Sequence, residues 1–338
     1  MCQKDEPMVS VIMGAYNSQN YIGPAIDSIL KQTYRNIEFI IIDDCSTDST
    51  PDILKRYSQK DKRIRIVTNE FNRGLGYSLN LGVDMANGAY IARMDADDIS
   101  APKRFERQVA FLKKNTDVAC VGTSARRIGN VKGLGKVFRV IHSPQSHEDI
   151  QAWLLLGTPM FHPSVMFNAQ IIKKLGINYD PNFRRAQDYE LWTRLVFLSK
   201  MRNIDEPLHA YRYSPKMASV VAADEQRRRA RILQSHMLNK LLGRKPTEEE
   251  LELHSKFVFQ SELGQSEIKE IDSWLNYCIS MSKANGLFNT NSLKKVFATR
   301  RAVIIRNNLA SRITRIRQYY MEANLSLLNM RTVMNILR

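Results

Sequence analysis

The sequence predicts an α/β fold, a mostly parallel sheet flanked by helices, followed by an α-helical C-terminal region. Three observations predict it. Apolar, β-rich runs alternate with helix-patterned segments through the first hundred residues. Acids gather at the carboxyl ends of two of those runs. From residue 224 onward, β-rich runs and prolines nearly vanish and the pattern is helical.

The elements follow in order. "MVSVIM", residues 8–13, is apolar almost throughout, as in a strand buried on both faces. The loop "GAYNSQN" leads into "YIGPAIDSILKQTY", where Ile22, Ala25, Ile26, Ile29 and Leu30 recur at helical spacing. "IEFIIIDD", 37–44, is a second buried strand that ends in acids. Ser46, Thr47, Asp48 and Ser49 can each cap the next helix, which has Pro51 in its first turn. "IRIVTN" is a third strand, "LGYSLNLGVDMA" a third helix and "GAYIARMD", 88–95, a fourth strand. A helix over 101–114 and the strand "VACVGTSARRIG" come next. Residues 132–148 read as a loop or hairpin. "HPSVMFNAQIIKKLG" reads as strand then helix, and "AQDYELWTRLVFLS", 186–199, as an amphipathic helix. The two "GLG" stretches lack the context of a phosphate loop and read as turns.

Length and composition set bounds. The chain of 338 residues holds one large or two ordinary domains, and 43% hydrophobic with 25% charged residues suits a soluble globular protein. No apolar run approaches membrane-spanning length, and the start "MCQKDEPMVSVIM" lacks a signal layout, so the cytoplasm is the expected location. Cys2, Cys45, Cys120 and Cys278 lie far apart, with no metal-ligand spacing, and read as reduced thiols. The net charge of +16 favours anionic partners.

The acids sit where α/β sheets bind ligands, at the carboxyl ends of strands: Asp43 and Asp44 after the second, Asp95, Asp97 and Asp98 after the fourth. Clustered carboxylates repel one another unless a cation offsets them. The Asp-Ala-Asp-Asp loop lets Asp95 and Asp97 converge on a hard divalent ion, which would complete its shell with phosphate oxygens. Asp98 reads as a cap for the following helix.

The stretches "VSVIMGAYNSQNYIGPAIDSILKQTYRNIEFIIIDDCSTDST" and "NRGLGYSLNLGVDMANGAYIARMDADDISAPKRF" resemble the family 2 glycosyltransferases. The resemblance covers roughly residues 8–215 and does not reach the 224–338 region. It implies the GT-A fold, a nucleotide-sugar donor and inversion at the anomeric centre. Carried over by position, it makes Ala15, Tyr16, Asn17, Asp44, Arg73, Asp95 and Ala96 donor-site residues. Tyr16 would pack on the base. Asp44 would accept the uracil N3 hydrogen, and Arg73 would approach base or diphosphate. Asp97 would ligate Mn²⁺ or Mg²⁺, with Asp95 on the ribose or in the metal shell. Such an ion stabilises the charge that develops on a diphosphate leaving group.

Inversion needs a general base on the acceptor side. "RRAQDYELW" resembles the family's acidic motif at a helix start, and Asp188 matches the base. Glu190 and Trp192 are weaker candidates for the acceptor pocket. His209, in "PLHAYRYS", is a candidate metal ligand and Arg212 a candidate diphosphate contact. His162 reads as a structural histidine.

These readings divide the chain into a catalytic domain, 1–223, with a donor half near 8–100 and an acceptor half near 101–223, and a basic helical region, 224–338. Residues 293–338 carry ten Lys or Arg against the single acid Glu322. Ile313, Ile316 and Tyr320, ringed by Arg312, Arg315 and Arg317, suit either an anionic membrane surface or a contact between helices, in one chain or in a homo-oligomer. Nucleic acid is not an expected partner, because no recognition motif is present. The sequence thus reads as a UDP-sugar-dependent transferase that acts on a saccharide or lipid-linked oligosaccharide acceptor at the inner face of the membrane. The competing reading is a non-enzymatic nucleotide- or nucleic-acid-binding protein that uses its basic region.

Overall fold

The structure, a computed structural model, describes residues 6–131, 135–136, 139–213 and 223–322. Two compact units are present, Met1–Met237 and Leu238–Arg338.

The first unit opens with β1 (Val9–Ala15), α1 (Ile22–Leu30), β2 (Ile37–Asp43), α2 (Thr50–Lys60), β3 (Ile64–Thr68), α3 (Leu75–Met85) and β4 (Tyr90–Asp95). The strands pair in the order β3-β2-β1-β4, all parallel. Their apolar residues explain the burial. Val9, Val11, Met13, Phe39 and Ile41 enter a core that α1 covers with Ile22, Ala25, Ile26 and Ile29. On the other face, Gly82 lets α3 approach closely. A Cβ there would stand 2.4 Å from Ile12 Cγ2. Register places Ala15 beside Asp43 and Gly14 beside Asp95. Three strands therefore end at one level, and their loops share one edge.

The chain continues with β5 (Ile99–Ser100), α4 (Arg104–Lys114), β6 (Val118–Ile128), β7 (Asn130–Val131), β8 (Gly135–Lys136), β9 (Arg139–Ile141), α5 (His147–Trp153), a 3₁₀ turn (His162–Ser164), β10 (Met166–Asn168), α6 (Ala169–Lys174), α7 (Gln187–Leu195) and β11 (Lys200–Arg212). The sheet extends through β10, β6, β11 and β5, with β9 also on β6. Strands β10, β9 and β5 run antiparallel to their neighbours, so the sheet is mixed. The expected loop or hairpin at 132–148 is described at its β8 and β9 strands, and residues 132–134 and 137–138 lie outside the described residues.

Strand β11 was not legible as a strand. It carries Lys200, Arg202, Asp205, Glu206 and Arg212, and Pro207 sits at a register shift against β6. A bulge tolerates a proline that a regular ladder does not. Pairing of His209 with Ser100 and Ala210 with Ile99 returns the end of β11 to the loop after β4.

Helix α8 (Ala223–Leu242) contains the division between the units. The boundary therefore falls inside this helix and not at its start, where the composition changes. Before the division, Gln234 Nε2 donates to Leu156 O at 3.3 Å.

The second unit is helical. Its helices are α9 (Glu248–Phe259), α10 (Gln265–Asn285) and α11 (Thr290–Glu322). Thr247 and Glu250 form a capping box at α9, and Gly286 closes α10 at φ 66°. Phe257, Trp274, Leu275, Cys278, Leu293, Val296, Phe297 and Ile304 are buried. Arg301 pairs with Asp272 at 2.7 Å, and Arg300 donates to Phe257 O and Gln260 O. Part of the basic excess thus serves packing within this unit. The side chains of Arg312, Ile313, Arg315, Ile316, Arg317 and Tyr320 lie outside the described residues. Among the described residues no helix is long and apolar enough to cross a membrane.

Candidate active site

The loops after β1 and β2 interlock at the common edge. Asn17 N–H donates to Ser46 Oγ at 3.0 Å, and Asn17 Oδ1 accepts from Thr47 N–H at 2.8 Å. Ser18 N–H donates to Thr50 Oγ1 and Gln19 N–H to Asp48 Oδ2. Asn17 and Cys45 adopt positive φ, 47° and 62°, which non-glycine residues hold only when their surroundings enforce it. The side-chain oxygen of Asn17 is therefore spent on joining the loops. Ala15 is buried at the end of β1, whereas Tyr16, the next residue, is 49% exposed.

Asp44 is buried, and its carboxylate organises a third segment. Oδ1 accepts from Asn69 Nδ2 at 2.7 Å and from Arg73 N–H at 2.9 Å, and Oδ2 accepts from Gly74 N–H at 2.8 Å. Three of about four acceptor positions are used, and one on Oδ2 remains. The Arg73 guanidinium lies 3.6 Å from the Tyr77 ring centroid and donates to the Tyr77 hydroxyl at 2.7 Å.

The acids after β4 converge. Ligand oxygens of Asp95, Asp97 and Asp98 lie within 4.8 Å of one another. Burial and the neighbouring acid charges push Asp97 and Asp98 well above the usual carboxylate range. An all-oxygen donor set under this repulsion fits a hard divalent cation. Arg212 folds over the loop. Its Nε donates to Asp97 O at 2.8 Å, its N–H donates to Asp98 Oδ1 at 2.8 Å, and its guanidinium lies 4.7 Å from the Tyr21 ring. Ala96 is buried between the acids.

Two readings change here. Asp98 caps nothing: it is buried, and α4 starts at Arg104 without a side-chain cap. His209 is its partner, with Nε2 2.7 Å from Asp98 Oδ2. Burial holds His209 well below its ordinary pKa, as a neutral imidazole. Its Nε2 is engaged by Asp98, and the ligand groups that cluster are those of Asp95, Asp97 and Asp98, without His209.

Asp188 lies in the first turn of α7, two residues after the N-cap Ala186, which is held at φ 61°. It is half-buried, and burial raises its pKa against the pull of the Tyr189 N–H and Arg93. A base needs such a rise to accept a hydroxyl proton near neutrality. Glu190 is spoken for: Arg194 Nε and Nη2 bond its two oxygens at 2.6 and 2.7 Å. Trp192 is fully buried, stacked on Phe167 and edge-on to His162. It is core, not pocket wall, because α7 turns this face toward the sheet. His162 is the structural histidine expected, buried with Nε2 2.7 Å from the Tyr179 hydroxyl.

Comparison with known proteins decides the family. The sequence profile described as Glycosyl transferase family 2 matches residues 10–176. The chain is 34% identical over 244 residues to an uncharacterised glycosyltransferase of Haemophilus influenzae, covering 70% of this chain and 76% of that protein. The chain belongs to glycosyltransferase family 2. This enzyme is also 36% identical over 192 residues to the O-antigen biosynthesis glycosyltransferase WbnJ of Escherichia coli, covering 56% of this chain and 72% of the relative. Among solved structures, S. aureus TarS in complex with UDP-GlcNAc superposes with a TM-score of 0.56 at 18% identity, covering 94% of this chain and 93% of the other. The mannosyltransferase PcManGT of Pyrobaculum calidifontis, solved with GDP-Man and Mn²⁺, gives 0.53 at 16% identity, covering 88% and 81%. These likenesses establish a shared GT-A architecture.

Two residues of this glycosyltransferase escaped sequence reading. Arg93 and Arg104 are buried beneath the acids. Arg104 ties β4 to the 3₁₀ turn through Arg93 O and Val165 O, at 2.7 and 3.2 Å. The signal was present: an arginine inside the apolar run "YIARMD" is out of place unless something pairs with it.

Proposed function

We propose that the enzyme transfers a hexose or N-acetylhexosamine from a UDP-sugar to a saccharide or lipid-linked oligosaccharide acceptor, with inversion, in surface polysaccharide assembly. The observation that carries this reading is the convergence of Asp95, Asp97 and Asp98 beside Arg212, at the edge where Tyr16 and Asp44 end their strands. Tyr16 stacks on the base, and the open acceptor position on Asp44 Oδ2 takes the imide hydrogen of uracil. Asp97 and Asp95 would hold Mn²⁺ or Mg²⁺, which when bound would supply the positive charge that offsets the developing diphosphate leaving group. Arg212 and Arg73 face the same phosphates. Asp188 takes the proton of the attacking hydroxyl. The O-antigen assignment of the E. coli relative supports a surface-glycan acceptor, and the UDP-GlcNAc bound by TarS supports the uridine donor.

The basic excess of residues 293–338 suits the anionic inner face of the cell membrane, where a lipid-linked acceptor is held. Sedimentation with phosphatidylglycerol vesicles, compared with phosphatidylcholine, reads this directly. Light scattering separates it from self-association.

A panel of nucleotide sugars, each incubated with enzyme and Mn²⁺, tests the proposal. One UDP-sugar is consumed with release of UDP. Release of inorganic diphosphate would instead mark a nucleotidyltransferase.

A further inference from the structure

Three strands carry a row of side chains past the acid loop. Register pairs Arg127 on β6 with Arg139 on β9 and with Tyr211 on β11. Residues paired in this way point to the same face of a sheet. His209, two residues before Tyr211, shares that face and binds Asp98. The row therefore lies one pleat beyond the acid cluster, about 7 Å further along the strand.

The row is charged and unpaired. Arg127 and Arg139 stand directly opposite each other, an arrangement that costs stability when nothing offsets the charges. Residues 118–147 contain no Asp or Glu. Among the described residues no hydrogen bond or ion pair reaches either guanidinium, and Nε of Arg127 is buried without a partner. Unmet donors of this kind call for an explanation.

Arg127 is nevertheless held in place. Its guanidinium lies 3.6 Å from the centroid of the Tyr213 ring. Tyr213 in turn is fixed, because its N–H donates to Ile128 O at 2.8 Å. Gly129, at φ 140°, leaves room for this approach: a Cβ there would stand 2.5 Å from Tyr213 O. Tyr213 directly follows Arg212, whose Nε donates to Asp97 O. A chain of contacts thus runs from the acid loop to the arginine pair.

We propose that Arg127 and Arg139 form an anion subsite for the phosphate groups of a phosphorylated acceptor. This rests on the transferase reading above. A guanidinium binds phosphate through two parallel hydrogen bonds, and two guanidinium groups match the charge of a diphosphate. A carboxylate, with one charge, would leave one arginine unpaired. The donor's diphosphate is assigned to the acid loop, one pleat back, which leaves the row to the acceptor.

Isothermal titration reads this subsite without a donor. It is run in metal-free buffer, where the acid loop repels phosphates. Farnesyl diphosphate is the lipid probe, glycerol 3-phosphate the probe without a lipid, and glucuronate the carboxylate control. At least one of the two phosphates binds wild type, and Arg127→Gln and Arg139→Gln each weaken it by at least about tenfold. Binding of farnesyl diphosphate alone makes the source a lipid diphosphate. Equal binding of glycerol 3-phosphate makes it a phosphate on the saccharide. Binding of neither phosphate overturns the proposal, as does equal binding by wild type and the variant carrying both substitutions. Glucuronate bound as tightly overturns the choice of phosphate. A matching loss of UDP affinity in Mn²⁺ places the pair at the donor and overturns it too. Failure of the transferase reading shows separately, as a panel in which no nucleotide sugar is consumed.

Discussion

Asp98 and His209, 111 positions apart in the chain, meet at 2.7 Å with both side chains buried. This contact closes the end of β11 onto the acid loop and sets the position of Arg212. It depends on the bulge at Pro207, which brings His209 into register with Ser100. His209→Ala leaves Asp98 with a backbone donor only. We expect a loss of about 1–3 kcal/mol in urea unfolding. His209→Gln, which restores a donor, recovers part of it. Equal midpoints for wild type and His209→Ala would contradict the anchoring role.

The acid cluster makes stability depend on pH in a definite direction. Burial, with the charges of Asp95 and Asp98, pushes Asp97 up to about 7, and burial with Asp95 pushes Asp98 up to about 8. Both folded values exceed the unfolded ones, so between roughly pH 4 and pH 8 the folded state binds more protons than the unfolded. The metal-free enzyme therefore loses stability as pH rises through that window and levels off above it. Melting curves at pH 5.5, 7 and 8.5 should show a falling Tm, and Mn²⁺ should flatten the fall by replacing the protons. A Tm that rises over this range would count against the cluster.

Metal binding follows from the same charges. Isothermal titration of Mn²⁺ in the presence of UDP should show binding to wild type. Asp97→Ala should weaken it by at least about tenfold, the loss of one charged ligand being worth more than 1.4 kcal/mol. Binding at pH 6.5 should release protons, detected as a dependence of heat on buffer ionisation enthalpy, and at pH 9 it should not. Unchanged affinity in Asp97→Ala would remove Asp97 from the ligand set.

Gly82 probes the packing beneath the site. A methyl at this position would meet Ile12 Cγ2 at 2.4 Å and Ile42 Cδ1 at 3.1 Å. Neither side chain has room to retreat, since both are buried. Gly82→Ala should cost about 1–3 kcal/mol in denaturant unfolding despite the helix propensity of alanine. A stabilised variant would show that α3 shifts freely on the sheet.

The donor half of the fold was readable because its physics is local. Buried parallel strands such as "IEFIIID" declare themselves by uninterrupted apolar residues, and the acids after them mark the edge. The second half was harder. β11 carries charges at solvent-facing positions and a proline, so its pairing with β6 and β5 is set by tertiary contacts that no window of sequence contains. The same holds for roles within the site. Asp98 has the composition of a cap, but His209 and the Arg212 N–H claim it from the far end of the chain. Trp192 sits on a helix whose period fits either core or pocket. Only its stacking on Phe167 places it in the core.

The role proposed for Asp188 is that of the base in an inverting sugar transfer. It is tested by comparing wild type with Asp188→Asn in Mn²⁺, using the donor identified from the panel and measuring both UDP affinity and UDP release. Asp188→Asn is expected to bind UDP as wild type does but to release it from the donor at least about a hundredfold more slowly, the contribution typical of a general base. Wild-type rates in Asp188→Asn would contradict it.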